Sequence, residues 1–389
     1  MRSSATWLLA AALLAPDRPA VAQSAPEIAA APIVVAAASS HRASIARYLR
    51  ARRAYEERAD AYWQSISEKR RARFAKRRGG QPVGLDDYVL TQPPVYTGPP
   101  RPPGYRPPRR DPTKPRPRIP VVADFLKAAA EQFRFVPQRP KDDTEFKQAY
   151  ARVAAAAGLT RDQAVRIYAF ETGGNGTYDL QAGLTSRRKN ARPISPAIGY
   201  NQLLSTNTIG LLAEHGDAFL ATLHKSAAKL DGREHKIMDR KLAALRRMIA
   251  FSRTVPYRWS DHDRLAKTTR GGMGIHAAVL DRDIGPLLQT QKLLNSVLFA
   301  HMKGHTTPLT AVELELMNFT GDGNGIDMVL MPHGLRAKVP TANFFQRGGY
   351  ERNPIAGRTG TVAALFASIE SKMDRASQAP GARELAEAF

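Results

Sequence analysis

The chain has 389 residues, enough for one large domain with tails or two modest domains, and its 43% hydrophobic residues can build a sizeable core. Lys and Arg number 58 against 35 Asp and Glu, a formal charge of +23 that draws the chain to polyanions without choosing among nucleic acid, anionic headgroups and an acidic cell wall. The absence of cysteine excludes disulfides, thiolate metal sites, cysteine nucleophiles and a lipidated cysteine anchor.

Arg2 precedes an apolar run at residues 7–15, which is too short to span a bilayer. Ala20-Val21-Ala22 then supplies the small residues of a cleavage site. This order predicts a signal peptide at residues 1–22, export to the periplasm or beyond, and no stable transmembrane segment after processing. Residues 23–40 read as an Ala-rich spacer. In residues 41–80, Ile45, Tyr48, Tyr55, Ala59, Tyr62 and Ile66 recur at helical spacing, and a strongly basic run closes the stretch. That pattern predicts a basic helical arm. It fits attachment to an anionic surface and equally fits a solvated helix whose aromatic stripe packs on another helix. Residues 92–120 hold 12 of the 28 prolines. Residues 81–120 are therefore expected to be an extended, semi-rigid linker between the arm and a globular domain.

From residue 121 the pattern is helical, with no convincing alternating strand, and the fold class is mainly α. A helix is expected from Asp143 to Ala157, and a second runs from an N-cap at Thr160 to Gly173-Gly174. Further helices are expected over residues 201–214, 236–251, 284–302, 308–317 and 361–373. The globular domain is placed at 121–375, followed by a C-terminal tail at 376–389.

Glu171 ends the apolar helix Ile167-Tyr168-Ala169-Phe170-Glu171, just before Thr172-Gly173-Gly174. Burial and the partial negative charge of a helix C-terminus both favour a protonated carboxyl there, which is what a general acid needs. Two further segments follow, Ser195-Pro196-Ala197-Ile198-Gly199-Tyr200-Asn201-Gln202 and Met317-Asn318-Phe319-Thr320-Gly321. Taken in order, the three segments resemble the lytic transglycosylases of the lysozyme-like superfamily over residues 150–331. The resemblance implies a lysozyme-like helical domain in which Glu171 is the single acid/base. It implies cleavage of the glycosidic bond between N-acetylmuramic acid and N-acetylglucosamine in peptidoglycan glycan strands, leaving 1,6-anhydro ends. Thr172 stands where the family has Ser. Gly199 and Gln202 match the second motif, with Tyr200 and Asn201 in place of Leu and Met. Asn318 and Phe319 match the third motif poorly, because the Asn–Gly spacing is longer and the aromatic follows the Asn.

Tyr178 and Gln181, in the loop after Glu171, and Tyr350, in an aromatic–glycine cluster, complete the expected sugar contacts. Core packing is an equal reading for that cluster. Asp179 is the local candidate for the second carboxylate of a hydrolysing muramidase, and a noncatalytic peptidoglycan-binding protein is the other alternative. No cofactor or metal is implied. Asp322-Gly323-Asn324 lacks the distal Glu of a calcium loop and reads as a glycine-rich turn. Export argues against a nucleic-acid partner.

Overall fold

A computed structural model describes residues 31–107, 118–184 and 191–389, with side chains from residue 40. The expected signal peptide lies outside the described residues. Among these the chain is mainly helical, with only isolated bridges between extended residues. No described helix is long and apolar enough to cross a membrane.

The helices are, in order, α1 (Ala31–Arg78), α2 (Val122–Phe133), α3 (Asp143–Ala156), α4 (Arg161–Thr172), α5 (Ser205–Ala227), α6 (Gly232–Ser252), α7 (Trp259–Thr268) and α8 (Arg270–Ile275). After them come α9 (Ile284–Met302), α10 (Ala311–Thr320), α11 (Asp322–Val329), α12 (His333–Arg336), α13 (Arg347–Arg352), α14 (Pro354–Thr359), α15 (Val362–Ser377) and α16 (Pro380–Glu387).

The chain divides into two units, at boundaries other than those expected. One comprises Met1–Tyr55 with Tyr96–Pro108. Within it the proline-rich segment is no free spacer. Tyr96 meets Tyr48 and Tyr55 edge-on at ring separations of 6.3 and 5.6 Å, Tyr105 meets Tyr48 at 5.8 Å, and Arg52 lies 4.9 Å from the Tyr55 and Tyr96 rings. The second half of the expected spacer is already helix α1.

The other unit comprises Glu56–Val95 with Arg109–Phe389. Here the stripe of α1 packs on the body, one of the two readings expected, and part of its basic run is buried with it. Ala59, Trp63, Ile66, Arg70 and Arg73 are buried. Arg70 donates to the carbonyls of Asn343 (2.9 Å) and Phe345 (2.8 Å), and Arg73 pairs with Asp327 at 3.2 Å. These positively charged side chains enter the interior because acceptors wait there. The expected C-terminal tail is also part of the body: Ala382 and Leu385 of α16 are buried, and Glu384 pairs with Lys147.

This unit holds two apolar cores. The first gathers α3, α4, α10, α11, α15 and α16, and the second gathers α2, α5, α6 and α8. Helix α9 joins them, giving Ile284 and Leu288 to the second and Leu293 and Ala300 to the first. Helix α8 carries three glycines, of which Gly272 and Gly274 are packing residues. A Cβ at Gly272 would come 2.1 Å from the Leu265 carbonyl oxygen, and one at Gly274 would come 2.8 Å from the Ala128 backbone of α2.

Candidate active site

Two capped helices deliver the central residues. Helix α4 starts in a capping box: Thr160 Oγ1 accepts from the Gln163 N–H (3.1 Å) and Gln163 Oε1 accepts from the Thr160 N–H (2.9 Å). It stops at Gly173, whose φ of +70° terminates the helix without steric cost. The next glycine is required by packing, since a Cβ on Gly174 would lie 2.1 Å from the Ala376 carbonyl oxygen. Helix α10 begins with the same kind of box, from Thr310 and Glu313.

At the end of α4, Glu171 faces a cleft of about 390 Å³ that Asn201, Gln202, Trp259, Lys292, Asn318 and Asp322 also line. A larger hollow of about 570 Å³, beside Arg161, Asp162 and Asp374, lies apart from this chemistry. Asn318 Nδ2 donates to Glu171 Oε1 at 2.8 Å and lies 3.5 Å from Glu315 Oε2. Glu315 is wholly buried, and Asn318 Nδ2 stands between its carboxyl and that of Glu171. Glu171 keeps part of its surface open to the cleft. Desolvation raises its pKa above the ordinary carboxylate value, against the bonds from Glu315 and Asn318 and the charges of Lys372 and Lys292. Desolvation also raises Glu315, well above the usual range, and the Glu171 charge adds to the effect. Lys372 Nζ sits 3.6 Å from the Phe170 ring centroid; burial lowers its pKa while both glutamates oppose the change.

The opposite wall is a turn followed by α5. Gly199, at φ +86°, leaves room for Gln289, whose Nε2 would lie 2.1 Å from a Cβ there. Gln289 Oε1 accepts the Asn201 N–H at 2.9 Å, and Asn201 Nδ2 donates to the Gln289 carbonyl at 2.9 Å. Gln202 adopts φ +43° and ties its Nε2 to the Gly199 carbonyl at 2.8 Å. It therefore belongs to the turn, and α5 begins at Ser205 instead of at residue 201. Below the turn, buried His276 bonds the Pro196 carbonyl through Nε2 (3.1 Å) and the Thr208 hydroxyl through Nδ1 (2.9 Å). Trp259 opens α7 at the rim with 57% of its surface exposed.

Of the expected site residues, Glu171, Gln202 and Asn318 meet in the cleft. The others have different work. Thr172 Oγ1 donates to the Tyr168 carbonyl (2.7 Å) at the helix end. Tyr178 stacks on Phe146 at 5.2 Å. Buried Gln181 donates to the carbonyls of Pro120 (2.7 Å) and Ser195 (3.0 Å). Gly199 shapes the turn, and Tyr200 is a core residue whose hydroxyl meets Asp143 Oδ1 at 3.0 Å. Phe319 packs edge-on to Phe170 (6.0 Å) and Phe345 (5.9 Å). Tyr350 is buried against Trp63 at 5.4 Å. Asp179 is ion-paired with Arg139 outside the cleft lining.

Sequence reasoning missed Glu315, Trp259, Lys292 and Asp322. A carboxylate inside the apolar run Leu314-Glu315-Leu316-Met317, one turn before Asn318, was the available signal for Glu315. Asp322 starts helix α11 where a turn was expected, and Ser296 Oγ donates to its Oδ1 at 2.6 Å. Among the described residues no cluster of His, Asp or Glu is placed to hold a metal ion. Comparison of the chain with protein-family models, with curated proteins and with solved structures finds no match.

Proposed function

We propose that this chain is an exported lytic transglycosylase of peptidoglycan, built on a lysozyme-like helical domain. The observation that carries the reading is the environment of Glu171: a carboxyl at the junction of desolvated interior and open cleft, held by Asn318, across from Gln202 and an exposed tryptophan. A raised pKa keeps its proton available for the glycosidic oxygen. Trp259 offers a flat apolar face to a pyranose ring, while Gln202 and Lys292 supply polar contacts. In the reaction implied by the resemblance, Glu171 gives its proton to the leaving oxygen as the C1–O bond breaks. Its carboxylate then takes the proton of the muramic acid C6 hydroxyl as that oxygen bonds to C1. The 1,6-anhydro ring closes and Glu171 is protonated again.

A second reading, hydrolysis, draws support from Asp322, a carboxylate in the lining of the same cleft. A muramidase would use it to serve water or a glycosyl intermediate. Incubation of purified sacculi with the wild type and with Glu171→Gln, followed by mass spectrometry of soluble products, separates the readings. Anhydro-muropeptides from the wild type alone are expected. Reducing-end products would replace lyase with hydrolase chemistry, and the absence of any product would leave only a binding role.

A further inference from the structure

We propose that Glu315 is a positioning residue that stays protonated throughout the cycle and donates its O–H to Glu171, so that two donors hold the charge Glu171 acquires when it gives up its proton. This inference rests on the acid/base reading of Glu171.

Glu315 is sealed in the first core, with Leu314 and Leu316 on either side also wholly buried. Among the described residues it forms no ion pair within 4.0 Å. One of its oxygens, Oε1, lies buried without a hydrogen-bond partner, and the other has only the long 3.5 Å contact from Asn318. An ionised carboxylate in such a place collects donors or a cation, because losing water is otherwise too costly. A neutral acid has the opposite need, a single acceptor for its proton. Glu171 is the acceptor at hand: Asn318 Nδ2, bonded to Glu171 Oε1 at 2.8 Å, also reaches Glu315 Oε2 at 3.5 Å and so holds the two carboxyls side by side.

The charged groups around the pair are Glu171 on α4, Lys372 on α15, Lys292 on α9 and Asp322 on α11. Both lysines act on Glu171, and Lys372 acts on Glu315 as well. Neither forms an ion pair with Glu315, so the neutral acid keeps its proton beside them. During cleavage the mobile proton travels from Glu171 to the leaving oxygen and returns from the attacking hydroxyl. The proton of Glu315 never leaves; its bond strengthens as Glu171 becomes anionic, the behaviour of a preorganised donor aimed at developing charge.

The test compares full-length wild type, Glu315→Gln and Glu315→Leu, each checked for folding by circular dichroism and thermal unfolding. Gln keeps a neutral donor, so sacculus cleavage should proceed at about the wild-type rate with the same pH profile. Leu removes the donor and should lower kcat by about 10- to 100-fold, as for the loss of a hydrogen bond to a charged group. The alkaline limb of the Leu profile should move to higher pH, because Glu171 would lose a partner that favours its ionised form. Equal damage by Gln and Leu, or a folded Leu variant with an unshifted profile, would overturn the proposal. An infrared difference spectrum of wild type minus Glu315→Gln at pH 7 reads the proton without any activity. It should carry a carboxylic-acid C=O band; a carboxylate band instead refutes a protonated Glu315. A carboxylic-acid band in a protein that leaves sacculi intact would sink the enzymatic reading and spare the protonation of Glu315.

Discussion

Replacing Arg73 with Ala tests whether the basic run of α1 is a structural part of the body. Arg73 has no exposed surface. Its Nε meets Asp327 Oδ2 at 3.2 Å, its Nη1 donates to the Asp87 carbonyl at 3.0 Å, and its Nη2 donates to the Asn343 carbonyl at 3.2 Å. The guanidinium also lies 4.4 Å from the Tyr88 ring centroid. Breaking a buried ion pair from one side costs about 3–5 kcal/mol. Arg77 stays on Asp327 and offsets part of that, while two carbonyls lose a donor at about 1 kcal/mol each. The net expectation is about 4 kcal/mol, a large share of the roughly 5–15 kcal/mol that holds a typical native state. Urea unfolding followed by circular dichroism reads this loss, and Tm should fall by about 10 °C. Arg78→Ala, an exposed position in the same run, should change stability by less than about 0.5 kcal/mol. Equal effects at the two positions would refute the argument and return the run to solvent.

Trp259→Ala should leave Tm unchanged, since the ring is largely exposed, and raise KM for glycan strands about tenfold with little change in kcat; a fall in kcat alone would remove Trp259 from substrate binding. Burial lowers the pKa of His276 from 6.5 to about 4. Because the folded value lies below the unfolded one, its contribution is complete above pH 6.5 and is lost as pH falls towards about 4. The difference amounts to about 3 kcal/mol. A histidine NMR titration placing His276 at its ordinary value would dismiss this contribution.

The most legible parts of the fold carry their own punctuation. Helix α4 has its cap, its apolar face and its glycine stop within 14 residues of sequence, and α9 runs from Ile284 to Met302 as its composition suggests. Glu171 was legible for the same reason, because local signals alone put a carboxylate at the end of a buried helix. Arg70 and Arg73 were not. Their acceptors, Asn343 and Asp327, lie 273 and 254 residues away in sequence, and without those acceptors a run of arginines reads as solvated surface. Trp259 was invisible for a related reason: only the packing of α7 on α5 carries it to the cleft.

The second motif shows why matching residue types alone mislead about roles. Gly199, Tyr200 and Asn201 form a turn, and the turn is fixed from behind by Gln289 and His276 and from the side by Gln181, whose backbone bridges to Ile198. Tyr200, Asn201, Gln181, Gln289 and His276 are all buried. Their joint effect is to hold Gln202 at φ +43° on the wall facing Glu171, a conformation that is costly for a residue with a side chain and persists only when its surroundings impose it. The lining of the cleft thus depends on two frames built separately: a helix end and a neighbouring helix that set Glu171, Glu315 and Asn318, and a strained turn from the other core that sets Gln202. Spacing in the chain encodes each frame, whereas their meeting across α9 is encoded only in the packing of the two cores.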